Sequence, residues 1–71
     1  MPRKVRQLEA DLRKAGLIWR SAKGSHGFWE HPKYPEVNVT LSGQAGADAQ
    51  PYQEKDVREA LALLKKLQEA E

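Results

Sequence analysis

Residues 36–41 read Glu-Val-Asn-Val-Thr-Leu, a strict alternation of polar and apolar side chains. A period of two is typical of a strand that buries one of its faces. The alternation places Val37, Val39 and Leu41 on one side and the two polar residues between them on the other. The stretch therefore predicts a strand whose apolar side faces a core.

Two further strands are predicted upstream of this one. Leu17–Ala22 is short and rich in large apolar residues, and His26–His31 follows it after the turn signal Lys-Gly-Ser at 23–25. The prolines of the segment 32–35 end the second strand, because proline cannot donate a hydrogen bond to a sheet. Short connections make consecutive strands antiparallel neighbours, so we expect a three-stranded meander.

An amphipathic helix is predicted on each side of the three strands. The first helix carries its apolar side chains at three- and four-residue steps, and Gly16 ends it because glycine adopts the left-handed conformation readily. These positions are Val5, Leu8, Leu12 and Ala15. The second helix is predicted over Gln53–Glu71, after a loop of small residues at Ser42–Gln50. Its apolar stripe consists of Val57, Ala60, Leu61, Leu64 and Leu67, with Leu63 beside the stripe as an exposed contact.

The five elements predict a single α+β domain over residues 1–71, in the order α-β-β-β-α. A meander must bury one face, and two amphipathic helices are available to cover it. We therefore expect two layers, with both helices on one face of the sheet and the other face open. The expected core includes Leu8, Leu12, Val37, Val39, Leu61 and Leu64. This is the layout of a double-stranded-RNA-binding domain, although a layout alone does not establish a function.

The composition argues against several classes of protein. The chain has no cysteine, which excludes a disulfide framework and a thiolate metal site, and its two histidines argue against a structural zinc site. Its longest uncharged run is mostly small and polar, and its basic N-terminus lacks the apolar segment of a signal peptide. We therefore expect a small, soluble, cytoplasmic protein with no metal, no other cofactor and no membrane partner.

The charge of the chain is divided unevenly between its two halves. Residues 1–35 carry eight lysines and arginines against three acids, a net charge of +5, whereas residues 36–71 carry four bases against seven acids, a net charge of −3. Such asymmetry is typical of a surface that binds a polyanion. An ordinary solvated surface explains the same numbers equally well.

The tripeptide Gly24-Ser25-His26 is the candidate chemical site. Histidine takes or gives a proton near neutral pH, glycine lets a bulky anion approach the backbone, and a serine hydroxyl donates hydrogen bonds to phosphate. Lys23 precedes the tripeptide, and Arg20 on the preceding strand adds a further positive charge. A histidine after a Gly-Ser turn is also common as an ordinary solvated residue at the start of a strand, so both interpretations remain open from these residues alone.

The second histidine is not an obvious catalytic partner for the first. His31 lies five residues after His26, and in an extended strand it points to the opposite face. We interpret His31 as a turn residue before Pro32.

The aromatic residues are interpreted mainly as core. Four of them are candidates for stacking on nucleobases, but large aromatic side chains in so short a chain are more often buried: Trp19, Phe28, Trp29 and Tyr34. Phe28 and Trp29 are adjacent in one strand and so point to opposite faces. If His26 faces the open side, Trp29 is buried and Phe28 is the more exposed of the two.

One stretch of the chain is similar to a known family. Residues 15–32, Ala-Gly-Leu-Ile-Trp-Arg-Ser-Ala-Lys-Gly-Ser-His-Gly-Phe-Trp-Glu-His-Pro, resemble the HicA toxin family. Its members show a helix ending in Ala-Gly, an apolar strand, Lys-Gly-Ser-His, and an aromatic strand that ends near His-Pro. The similarity extends through the first helix and the strand ending at Leu41. Beyond it the chain departs from the family, because Ser42–Gln50 is small and nearly uncharged where members carry a shorter basic segment.

The resemblance implies a function as well as a fold. HicA proteins look like double-stranded-RNA-binding domains and cleave messenger RNA, their essential residue corresponds to His26, and a HicB antitoxin binds them and masks that site. We therefore expect a slow, metal-independent endoribonuclease, an mRNA interferase of a type II toxin–antitoxin system, with a HicB-like partner. The residues expected to contact RNA are Arg20, Lys23, Gly24, Ser25 and Phe28. A non-catalytic RNA-binding module and a protein-interaction domain are the alternatives.

Overall fold

The computed structural model describes residues 3–21, 27–42 and 46–71 of the chain. In these residues the elements are α1 (Val5–Lys14), β1 (Ile18–Ser21), β2 (Gly27–Glu30), β3 (Asn38–Leu41) and α2 (Pro51–Glu69). The strands form one antiparallel sheet in the order β1-β2-β3. The predicted α+β arrangement is therefore confirmed. Neither of the two described helices has the length and apolar character needed to cross a membrane.

The core lies on one face of the sheet. Trp29 and Val39 are paired across β2 and β3, and both are buried on this face together with Leu41. They form one cluster with the buried side chains of both helices: Val5, Leu8, Leu12, Val57, Ala60 and Leu64. Both helices thus pack against the same sheet face, as expected. Leu61, also expected in the core, is only partly buried at the margin of the cluster.

The end of α1 depends on a backbone conformation that favours glycine. The helix ends at Lys14, one residue before the predicted Ala15, and Gly16 follows with a φ of +100°. A β-carbon at Gly16 would lie 3.3 Å from Nε2 of His31, so a side chain would be both strained and crowded here. Gly16 thus directs the chain from α1 into β1, as the sequence predicted.

The turn between β2 and β3 is organised by His31. Nδ1 of His31 accepts hydrogen bonds from the backbone N–H groups of Lys33 and Tyr34, at 3.1 and 3.3 Å. The interpretation of His31 as a turn residue is confirmed. Because this turn occupies the flanking residues, β2 ends at Glu30 and β3 begins at Asn38, so both strands are shorter than predicted.

The second helix begins two residues before the predicted start at Gln53. Pro51 is its first residue, where the N–H that proline lacks would have no partner within the helix. Oε1 of Gln53 accepts the backbone N–H of Gln50 at 2.8 Å, and Nε2 of the same side chain donates to the carbonyl of Ser42 at 2.9 Å. Gln53 is buried, and it ties the start of α2 to the end of β3.

The chain before α2 is not only a loop. Residues 47–49 pair with residues 3–5, through N–H to carbonyl bonds from Val5 to Ala47 at 2.9 Å and from Ala49 to Arg3 at 2.6 Å. This pairing holds the start of α1 against the segment that leads into α2. Residues 43–45 of the predicted loop lie outside the described part of the chain.

The conformation of Gly16 predicts a measurable cost of substitution. Gly16→Ala should lower the free energy of unfolding by about 1–2 kcal/mol, the usual penalty of a left-handed residue with a β-carbon. Gly46→Ala is the matched control, because a β-carbon there meets no atom of the described residues within 4 Å. Urea unfolding of the two variants measures the difference, and equal stabilities would contradict this account of the helix end.

Candidate nucleic-acid interface

The sheet face turned away from the helices is one part of the candidate interface, and we call it the open face. The strand register aligns its residues in two rows across the sheet, Ile18–Glu30–Asn38 and Arg20–Phe28–Thr40. Ile18 is 43% exposed, and the two β3 residues are exposed as well. The open face therefore presents polar groups with two apolar side chains, Ile18 and the half-buried Phe28.

The expected facing of β2 is confirmed. Trp29 is 2% exposed and packs in the core, whereas its neighbour Phe28 is half-buried on the open face. Since alternate residues of a strand share a face, Glu30 lies on the open face with Phe28.

Arg20 lies on β1, as expected, but its guanidinium already forms an ion pair. Its Nε lies 3.0 Å from Oε1 of Glu30, on the neighbouring strand, and its register partner is Phe28. The structure therefore brings two of the expected RNA-contacting residues, Arg20 and Phe28, side by side. A phosphate that approaches Arg20 also meets the negative charge of the Glu30 carboxylate. Spacing in the sequence could not show the contact between Arg20 and Glu30, because these two residues are ten positions apart.

The remaining expected site residues lie outside the described part of the chain. These are Lys23, Gly24, Ser25 and His26. The structure describes the residues that flank them, and there Ser21 of β1 is paired directly with Gly27 of β2.

Trp19 departs from the expectation that the large aromatic residues are core. It is paired with Trp29 and so points to the helix side of the sheet, yet it is 55% exposed. Leu17, two residues earlier, is fully buried, so the cover that the helices provide ends before Trp19 on this edge strand. The sequence pattern could not show where that cover ends.

The ring of Trp19 packs against Gly27. A β-carbon at Gly27 would lie 2.7 Å from Nε1 and 3.2 Å from Cδ1 of Trp19, and 3.6 Å from Nε1 of Trp29. The absence of a side chain at Gly27 therefore lets the indole of Trp19 lie against the backbone of β2.

A positive charge lies over the ring of Trp29. The guanidinium carbon of Arg13 lies 5.3 Å from the centre of the Trp29 ring, a cation–π distance, and Lys14 follows Arg13 in the last turn of α1. We refer to Arg13, Trp19, Gly27 and Trp29 together as the Trp19 corner. Sequence reasoning missed this group, because its members come from three elements.

The opposite edge of the sheet is acidic. A groove between β3 and α2 is lined by three carboxylates, Glu36, Asp56 and Glu59, with Leu63 among the apolar side chains beside them. Such a groove repels phosphate. The charge asymmetry of the sequence is thus also a spatial one, and the β1 side is the part of the described surface suited to a polyanion.

Lys33 contributes little to a polyanion-binding surface. It forms an ion pair with Glu71, which raises the pKa of Lys33, and Lys33 together with Tyr34 lowers the pKa of Glu71. The charge of this lysine is therefore balanced within the fold.

Comparison of the chain with protein-family models, with curated proteins and with solved structures found no match. The described residues also contain no group of three histidine, aspartate or glutamate side chains arranged to hold a metal ion. The functional assignment therefore depends on the geometry above and on the residue pattern of 15–32.

The contact between Trp19 and Gly27 predicts the effect of a single methyl group. Gly27→Ala should push the Trp19 ring away from the strand, because the new carbon would lie 2.7 Å from its Nε1. The fold should persist, since the ring lies at an exposed edge and has room to move. Acrylamide quenching of tryptophan fluorescence should increase in this variant and remain at the wild-type level in Gly46→Ala. Unchanged quenching in Gly27→Ala would contradict the described position of Trp19.

Proposed function

We propose that the chain is an RNA-cleaving toxin: a cytoplasmic endoribonuclease that acts on messenger RNA and uses His26 for proton transfer. The observation that carries the proposal is the direct pairing of Ser21 with Gly27, with Trp29 facing the core. Residues 22–26 connect these two paired strands in the sequence, and they lie outside the described part of the chain. The resemblance of residues 15–32 to HicA toxins supports the same function.

The facing of β2 supports the choice of His26. Trp29 faces the helices and Phe28 the open face. The sequence predicts that residues 26, 28 and 30 share one side, and for His26 this stays a prediction because His26 lies outside the described residues. That predicted position would make His26 accessible to a substrate lying on the open face.

The proposed reaction uses the nucleophile that RNA itself carries. A base removes the proton of a 2′-hydroxyl, the resulting oxygen attacks the adjacent phosphorus, and the bond from phosphorus to the 5′-oxygen breaks. An acid protonates the departing 5′-oxygen, so the products are a 2′,3′-cyclic phosphate and a 5′-hydroxyl. His26 serves as the base or the acid, and Lys23 and Ser25 stabilise the charge that develops on the phosphate oxygens.

This chemistry requires neither a metal nor any other cofactor. One positioned proton-transfer group accelerates a reaction by roughly 10²- to 10⁴-fold, so a site with a single histidine is expected to be slow. Slow cleavage is compatible with toxicity when the target is messenger RNA.

The open face is the proposed docking surface of a HicB-like antitoxin. Ile18 and Phe28 provide apolar area next to the proposed site, and an acidic partner suits the net charge of +5 of residues 1–35. We expect a small acidic protein to copurify with the chain from its native cell and to inhibit cleavage. Replacement of Ile18 by Lys should weaken that complex without changing the fold, and recovery of only the free monomer would argue against this partner.

The role of His26 is tested by substitution of each of the two histidines. His26→Ala should abolish RNA cleavage and toxicity, while the free energy of unfolding changes by less than about 0.5 kcal/mol, as for a surface residue. RNA affinity should fall only modestly, since lysine and arginine contacts supply most of the binding. His31→Asn is the control: it keeps an acceptor for the turn, and it should keep cleavage.

Two results would contradict the assignment, one with the His26→Ala variant and one with the wild-type chain assayed in EDTA. Cleavage by His26→Ala at the wild-type rate would show that His26 is not the catalytic group. Loss of wild-type cleavage in EDTA would show that the reaction depends on a metal. Binding of RNA without cleavage by the wild-type chain would favour the alternative of a non-catalytic RNA-binding module.

A further inference from the structure

Trp19 is a large aromatic side chain in an unusual place. It lies on the sheet side that is otherwise buried, yet 55% of it is exposed. An aromatic side chain exposed to this extent is typical of a surface that a ligand covers. Trp19 lies on the edge strand β1, on the opposite side of the sheet from Arg20 and Phe28, so a ligand that reached all three residues would pass around this edge. We propose that the Trp19 corner binds an unpaired nucleobase by stacking on the Trp19 indole, so that the substrate is single-stranded RNA. This inference rests on the proposed RNA-directed function and specifies its substrate.

The ring is held in position before any ligand arrives. The atoms of Trp19 that approach Gly27 are Nε1 and Cδ1, which lie on one edge of the indole. Contact along one edge restrains the ring against the strand and leaves the rest of it accessible, in agreement with its exposure. A restrained aromatic ring loses little conformational freedom when a base stacks on it.

The charge around the corner suits a nucleotide rather than an apolar ligand. Arg13 lies over the ring of Trp29, the register partner of Trp19, and Lys14 adds a second positive charge in the same turn of α1. Both side chains are exposed, and in this proposal Arg13 contacts a phosphate next to the stacked base. The corner therefore offers an aromatic surface with cations beside it, the combination that proteins use for single-stranded nucleic acid.

The corner also contains a hydrogen-bond donor without a described partner. Nε1 of Trp29 is buried and has no hydrogen-bond partner in the described part of the chain. It lies 3.6 Å from the position of a β-carbon on Gly27, the same point that the Trp19 ring approaches. The corner therefore contains a buried donor near the Trp19 ring that is unpaired within the described part of the chain.

Stacking on Trp19 requires a base that is not already stacked in a helix. The bases of a duplex are covered on both faces by their neighbours, whereas single-stranded RNA presents bases to aromatic side chains. The corner therefore favours a single strand over a duplex, which differs from what the layout of a double-stranded-RNA-binding domain alone would indicate.

The experiment measures binding in a chain that cannot consume its ligand. In the His26→Ala background, fluorescence anisotropy gives the affinity for a single-stranded RNA and for a duplex of the same sequence. Trp19→Ala should weaken single-strand binding by about 10- to 100-fold, the usual effect of removing one stacking side chain. Trp19→Phe should retain most of the affinity, because a smaller aromatic ring still stacks. Tyr52→Ala is the matched control, since Tyr52 is 57% exposed but lies on α2, and it should bind like the parent.

The failure of this inference can be told apart from the failure of the proposed function. If the wild-type chain cleaves RNA but Trp19→Ala binds the single strand as tightly as its parent, the stacking site is wrong and the nuclease stands. Equal affinity for the duplex and the single strand would also overturn the stacking site alone. If the chain neither binds nor cleaves RNA, both proposals are wrong.

Discussion

The burial of Trp29 is the constraint on which the rest of the molecule depends. This side chain is the largest of those fully buried, and it sits at the centre of the middle strand, paired with Trp19 on one side and Val39 on the other. A slip of one residue in β2 would turn it out of the core and place Phe28 and Glu30 inside, exchanging a large apolar group for a charge. Its position therefore fixes which side chains of the sheet face the helices and which face outward.

Several features of the surface follow from this one placement. Phe28 and Arg20 are brought together on the open face, and Gly27 is turned toward the helix side, where its lack of a side chain makes room for the Trp19 ring. The helices cover the centre of the sheet and stop short of Trp19. The result is a molecule with cationic and aromatic groups around β1 and carboxylates around the groove between β3 and α2.

Local patterns in the sequence predicted the features that depend on interactions between neighbouring residues. The alternation that ends at Leu41, the left-handed conformation of Gly16 and the opposite facing of Phe28 and Trp29 each depend on a few neighbouring residues, and all three are confirmed. The remaining features depend on residues far apart in the chain. The exposure of Trp19 depends on where the helices end over the sheet, the Arg20–Glu30 pair on the strand register, and the pairing of residues 3–5 with 47–49 on the closure of the whole fold. Four of the six candidate site residues lie outside the described chain, so His26, Lys23, Gly24 and Ser25 stay predictions.

The central claim is that the chain positions a phosphate of RNA for attack by the neighbouring 2′-hydroxyl. A single substitution in the substrate tests it most directly: an RNA oligonucleotide that the wild-type chain cleaves is compared with the same oligonucleotide carrying 2′-deoxyribose at the cleaved nucleotide alone. The account predicts that the modified strand is bound with similar affinity and is not cut at that position, because one oxygen atom, the nucleophile, is missing. Cleavage of the modified strand at the same bond would contradict the account, and so would a wild-type chain that cleaves no RNA from which such an oligonucleotide could be chosen.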